Sequence, residues 1–60
     1  MPVVRVTWFE GKDTATNHIV ASEITENIVR NTGTEPKYIY AIFEDIASSD
    51  WAGDGKLFGD

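Results

Sequence analysis

The 60-residue sequence contains no cysteine and a single histidine, His18. Disulfide staples and thiolate metal sites are thereby excluded, and one imidazole leaves no ligand set for a structural zinc ion. Basic residues are also scarce: Arg5, Lys12, Arg30, Lys37 and Lys56 stand singly against ten acidic residues, for a formal net charge of −5. No basic stripe exists to neutralise phosphates, which argues against nucleic acid and against an anionic membrane as partners. No apolar run approaches the ~20 residues of a membrane span, and no positively charged N-terminal region leads into an apolar one. The absence of a secretory signal, together with the absence of cysteine, favours the cytoplasm.

What is present describes a folded chain. Hydrophobic residues make up 42% and charged residues 25%, with two Trp, two Tyr and three Phe, a composition too apolar for disorder. The length allows one domain, residues 1–60. A domain of this size buries only about 60% of the surface its unfolded form exposes, and with disulfides and metals unavailable, association is left as the source of further burial.

Val3 to Phe9 is dominated by β-branched and aromatic residues. Strand alternation puts Val4, Val6 and Trp8 on one face and Val3, Arg5, Thr7 and Phe9 on the other, both largely apolar. Glu10-Gly11-Lys12-Asp13 breaks the pattern, and Asp13 is suited to cap the next element. Thr14 to about Thr32 reads as one amphipathic helix with Val20, Ala21, Ile24, Ile28 and Asn31 along a face, widened by Ile19 and Val29. Glu23 and Glu26 lie on the solvent side, Arg30 comes after Glu26 at the favourable spacing, Gly33 is a left-handed stop, and Pro36 prevents the helix from resuming. A second strand is expected from about Lys37 to Ile46, with Ile39, Ala41 and Phe43 toward the helix and Tyr38, Tyr40, Ile42 and Glu44 away from it.

Strand, helix and strand make a βαβ unit with parallel strands and a right-handed crossover, an α+β subunit with the helix on one face of the sheet. The other face is bare, and an exposed patch of such apolar and aromatic content signals a subunit interface. Gly53-Asp54-Gly55 between short apolar segments suits a small terminal hairpin or hooked loop. Trp51 and Phe58 beside it are expected to reach a neighbouring chain.

Pro2 heads the first strand. Removal of Met1 by a methionine aminopeptidase would leave it with a free secondary amine; free α-amino groups titrate near about 8, and burial or nearby cations push them lower, toward a base poised near neutrality.

The order Met1-Pro2, hydrophobic strand, Glu10-Gly11-Lys12 turn, long helix, Pro36 turn, second strand and Trp51-Ala52-Gly53-Asp54-Gly55 resembles the tautomerase superfamily, specifically the short 4-oxalocrotonate tautomerase subunits, over essentially the whole chain. The resemblance implies a tautomerase/MIF-like fold assembled as a homo-hexamer, a trimer of dimers. It also implies cofactor-independent proton transfer on a small-molecule carboxylic acid, a 2-hydroxy-dienoate or enolpyruvate-like acid, with Pro2 as general base and acid. Carried over by position, Lys12, Tyr40, Trp51 and Phe9 would line the substrate site. Lys12 and Tyr40 stand where the family's muconate isomerases carry arginine. Lysine keeps the charge without the planar fork, and a phenol donates one hydrogen bond without charge, which points to a monoacid or a less charged ketone. Arg5, on the face shared with Tyr38 and Tyr40, would either pair with Glu44 or add positive potential to the site. Two other readings stay open: a hydratase, dehalogenase or decarboxylase using a protonated proline, and a non-enzymatic oligomeric binding protein that has lost the cationic site.

Overall fold

The structure is a computed structural model that describes residues 1–59. Its elements in chain order are strand β1 (Val3–Phe9), helix α1 (Thr14–Thr32), a 3₁₀ turn at Pro36–Tyr38, strand β2 (Tyr40–Ile46), a 3₁₀ turn at Ser48–Asp50, and the short strands β3 (Ala52–Gly53) and β4 (Lys56–Leu57). β1 and β2 pair in parallel, in register from Val3 opposite Tyr40 to Phe9 opposite Ile46. The ladder is extended at both ends, where the Tyr40 N–H donates to the Pro2 carbonyl at 3.1 Å and the Glu10 N–H to the Ile46 carbonyl at 3.0 Å.

Local chemistry sets the bounds of α1. The Asp13 carboxylate accepts from the Thr16 backbone N–H at 2.8 Å and from the Thr16 hydroxyl at 2.7 Å, satisfying donors that the first turn leaves free. These two bonds, the hydroxyl bond foremost, hold the Asp13 carboxyl below its ordinary range. At the other end Gly33 takes φ 74° and its N–H donates to the Val29 carbonyl, a left-handed cap that a side chain would strain.

Alternation in the strands is as read from the sequence. Val4, Val6, Trp8, Ala41 and Phe43 are half-buried on the side of α1, while Val3, Arg5, Thr7, Tyr40, Ile42 and Glu44 are exposed on the other. On the helix, Val20, Ala21, Ile24, Ile28 and Val29 are half-buried. Ile19 departs from the expected stripe and stays 60% exposed. Asn31 is exposed as well, its amide donating to the Asn27 carbonyl one turn back at 2.7 Å. Glu26 and Arg30 do not meet; the one ion pair among the described residues joins Lys37 to Glu35 at 3.5 Å.

β2 starts at Tyr40 rather than at Lys37. Pro36 fixes φ at a value suited to the first position of a tight helical turn. The Tyr38 and Ile39 amides then donate to the Glu35 and Pro36 carbonyls at 3.0 and 3.1 Å, so Tyr38 lies in the turn and not on the sheet face.

β3 and β4 form an antiparallel hairpin. Its two central residues, Asp54 and Gly55, take φ 53° and 75°, the left-handed pair that a tight type I′ turn requires. The hairpin folds back on β1, so Trp51 and Phe58 find a partner within their own chain: the Phe9 ring lies 4.5 Å from Trp51 and 5.6 Å from Phe58, centroid to centroid. Gly53 makes this possible, because a Cβ there would stand 2.9 Å from the Phe58 ring.

Among the described residues Ile39 alone is buried. The Cα radius of gyration is 14.5 Å and the chain measures 44 × 23 × 14 Å, against the ~10 Å radius expected of a compact chain of this length. One layer of helix on two strands has no second layer to close it.

Candidate active site

β1 divides the candidate residues between its two tips. At the N-terminal tip Pro2 is half-buried, its carbonyl tied to the Tyr40 amide. Tyr40 is 49% exposed on the open sheet face, so its phenol can donate to a group arriving from outside the chain. In the full chain the Pro2 nitrogen is an amide bonded to Met1; it becomes a base only on removal of that residue.

Lys12, Phe9 and Trp51 gather at the opposite tip. Gly11 turns the chain out of β1, and the Lys12 side chain lies back along the strand end. Its ammonium stands 5.2 Å from the centroid of the Trp8 ring and donates to the Phe9 carbonyl at 3.4 Å. The Trp8 ring stacks on Phe43 at 5.5 Å and 27°, and its indole N–H donates to Asp45 at 2.7 Å. Lys12 forms no ion pair among the described residues. Its neighbour Asp13 is committed to the helix cap. In a chain of net charge −5, such an unneutralised ammonium beside the Trp8 ring is chemically able to hold a carboxylate.

Seven residues of β1 at about 3.3 Å each put roughly 20 Å between Pro2 and the Lys12 cluster, too far for one small acid to touch both. Within the chain Pro2 meets Tyr40 through a backbone bond, Lys12 meets the Trp8 ring and the Phe9 carbonyl, and the Phe9 ring packs on Trp51, but the two tips are not joined. Arg5 joins neither. It stands opposite Ile42 in the register, is exposed and is unpaired among the described residues, while Glu44 accepts from the Thr7 hydroxyl opposite it at 3.3 Å. The pairing of Arg5 with Glu44 is thus replaced by one that obeys the parallel register. Reasoning from the sequence also missed the Trp8–Asp45 contact. No signal in the sequence alone gave it, because the pairing depends on β2 starting at Tyr40, which sets the sixth residue of each strand opposite the other.

Among the described residues no group of three or more His, Asp or Glu side chains could hold a metal ion, and no helix is long and apolar enough to cross a membrane.

A two-stranded parallel βαβ subunit with a folded-back hairpin, led by Pro2, has the architecture of the 4-oxalocrotonate tautomerase subunits. A crystal structure of a 4-oxalocrotonate tautomerase homologue superposes with a TM-score of 0.94 at 28% identity, covering 100% of this chain and 95% of that one. A heterohexamer 4-oxalocrotonate tautomerase from Chloroflexus aurantiacus J-10-fl shares the fold at TM-score 0.88 and 17% identity, over 100% and 97% of the two chains. Residues 2–60 match the Tautomerase enzyme family, and a probable tautomerase of Ralstonia nicotianae is 65% identical over 60 residues, which is 100% of this chain and 92% of that protein. The chain belongs to the tautomerase family, and is an isomerase of the 4-oxalocrotonate tautomerase type.

Proposed function

We propose that this protein interconverts the keto and enol forms of a small 2-hydroxy-dienoate or enolpyruvate-like monoacid, without a cofactor, in sites completed between chains. The observation that supports this most directly is the division of β1, with a half-buried Pro2 at one tip and, at the other, a Lys12 that lies over the Trp8 ring and has no ion pair among the described residues. The homo-hexamer of the trimer-of-dimers type, single-domain subunits and all, is the assembly in which Pro2 and Tyr40 of one copy meet Lys12, Phe9 and Trp51 of others. The exposed face of Val3, Tyr40 and Ile42 supports association.

In this reading Met1 is removed and Pro2 carries a free amine. An apolar surround and a nearby cation both disfavour the charged ammonium, leaving a useful neutral fraction at pH 7. Lys12 binds the substrate carboxylate. The neutral amine takes the enol hydroxyl proton, the oxygen becomes a carbonyl as the double bond shifts, and the ammonium returns that proton to carbon. One O–H bond is broken and one C–H bond is formed, with no net change in charge. Tyr40 donates a hydrogen bond to the oxygen while negative charge resides there. Phe9 and Trp51 keep water from the reacting carbon. One cation serves one carboxylate, and the phenol at Tyr40 adds no second charge, which favours a monoacid over a dicarboxylate.

The test is ketonisation of phenylenolpyruvate and of 2-hydroxymuconate by the wild type and Pro2→Ala, with intact mass establishing loss of Met1. Pro2→Ala is expected to lower kcat by about a hundred-fold, with phenylenolpyruvate the better wild-type substrate. Equal rates for wild type and Pro2→Ala would sink the proline mechanism.

A further inference from the structure

We infer that Trp8 and Asp45 are positioning residues that hold the Lys12 ammonium open toward an incoming carboxylate. The inference rests on the reading of Lys12 as the carboxylate-binding cation, and on nothing about the chemistry at Pro2. Lys12 is exposed and comes after a glycine in an irregular segment, where a lysine side chain ordinarily samples many rotamers. Two contacts restrain it: the face of the Trp8 indole, 5.2 Å from Nζ to the ring centroid, and the Phe9 carbonyl, at 3.4 Å. An ammonium has three donors. With one on the carbonyl and one over the ring, a third is left for an anion.

The indole is itself held on two sides, by the stack on Phe43 at 5.5 Å and by the 2.7 Å bond from its N–H to Asp45 Oδ1. That second bond does two things. A carboxylate accepting from the indole N–H raises the electron density of the ring and so its attraction for a cation. The same bond also occupies Asp45, the carboxylate directly opposite Trp8 in the register. Without the indole between them, Asp45 would be free to pair with Lys12 and neutralise it. Trp8 therefore acts as a spacer: it lets the aspartate support the lysine through the ring without forming an ion pair with it.

The test uses the intact, assembled protein and reads binding rather than turnover. Binding of trans-cinnamate and of its uncharged amide is titrated by NMR, monitoring the ε-methylene protons of Lys12. In the wild type those protons are expected upfield of Lys56, displaced by the indole ring current, and cinnamate is expected to bind more tightly than the amide. Trp8→Leu is expected to weaken cinnamate about five-fold while leaving the amide unchanged and abolishing the upfield shift. Asp45→Ala should diminish that shift and Asp45→Asn, which keeps an acceptor, should restore it. The variant combining Trp8→Leu with Lys12→Ala should bind cinnamate no more weakly than Lys12→Ala alone, since Trp8 acts through the lysine. Losses that simply add, equal weakening of acid and amide, or an unshifted Lys12 in the wild type would overturn the inference. Should Trp8→Leu fail to assemble, Trp8→Phe keeps the packing on Phe43 and decides the matter, an unchanged cinnamate affinity in it counting against. A wild type that binds acid and amide equally removes the carboxylate role of Lys12, and this inference with it, while leaving the Pro2 chemistry standing; an inactive wild type does the reverse.

Discussion

At its N-terminal tip β1 carries Pro2 beside one phenol, Tyr40, tied only by a backbone hydrogen bond. At its C-terminal tip it carries a built cluster: Phe9 against Trp51 and Phe58, Trp8 against Phe43 and Asp45, and Lys12 over Trp8. The first tip has a candidate base and little around it. The second has a cation and an apolar wall but no base. The contrast teaches that the candidate base and the unpaired cation sit on separate parts of the subunit, held apart by the length of the strand between them.

The sharpest way to break this comparison is to mix chains. Pro2→Ala and Lys12→Glu are each expected to lower kcat/KM by about a hundred-fold, through loss of the base and reversal of the binding charge. Unfolded together and reassembled, they should regain activity in about a quarter of the sites, those that draw both intact residues from different copies. No recovery on mixing would place both groups in one chain and overturn the division. Next in size, Tyr40→Phe should lower kcat about ten-fold with little change in KM, the loss of one hydrogen bond to charge on oxygen. A rise in KM alone would move Tyr40 from the chemistry to packing. Smaller again, Trp51→Ala removes the ring pair with Phe9, worth about 0.5–1.5 kcal/mol beyond area. It should lower the melting temperature and raise KM a few-fold, with a smaller fall in kcat as water reaches the reacting carbon.

The smallest effect concerns Asp13, next to Lys12. Its folded-state carboxyl lies below its ordinary value because it accepts two bonds from Thr16. Its contribution to stability is therefore complete above the unfolded value and is lost as pH falls through the lower folded one. Asp13→Asn keeps an oxygen for the cap and lacks the titration. Thermal melts from pH 6 to pH 2 should show the wild type losing more stability than the variant at the acid end, with kcat/KM at neutral pH unchanged. Parallel acid profiles would assign the acid loss to other carboxylates.

The fold was legible wherever local chemistry decides it. Asp13 and Gly33 bound the helix as their side chain and lack of one demand, alternation sorted β1 and the part of β2 from Tyr40 onward, and Gly53-Asp54-Gly55 pointed to a hairpin or hooked loop, of which the chain forms the hairpin. The onset of β2 was misread because Tyr38 and Tyr40 alternate as strand residues do, while the turn opened by Pro36 claims the first of them through backbone bonds. Ile19 and Asn31 were assigned to the apolar stripe by spacing alone, which does not reveal where the sheet ends beneath the helix. The candidate site residues are named from the sequence and the resemblance alone. Their grouping was not legible there, since it depends on which strand tip each occupies, and contacts such as Trp8 with Asp45 arise only from the register of strands more than thirty residues apart.

The roughly 20 Å between the two tips has a consequence for counting. Under the proposed division every copy would give a proline to one site and a lysine to another, so in any closed assembly the sites would equal the chains, whatever the ring size. An open chain of copies would lack one site for each free end pair, leaving an unmatched proline at one extremity and an unmatched lysine at the other. Closure would then be a condition of full activity per chain, and specific activity would gauge how many assemblies are complete.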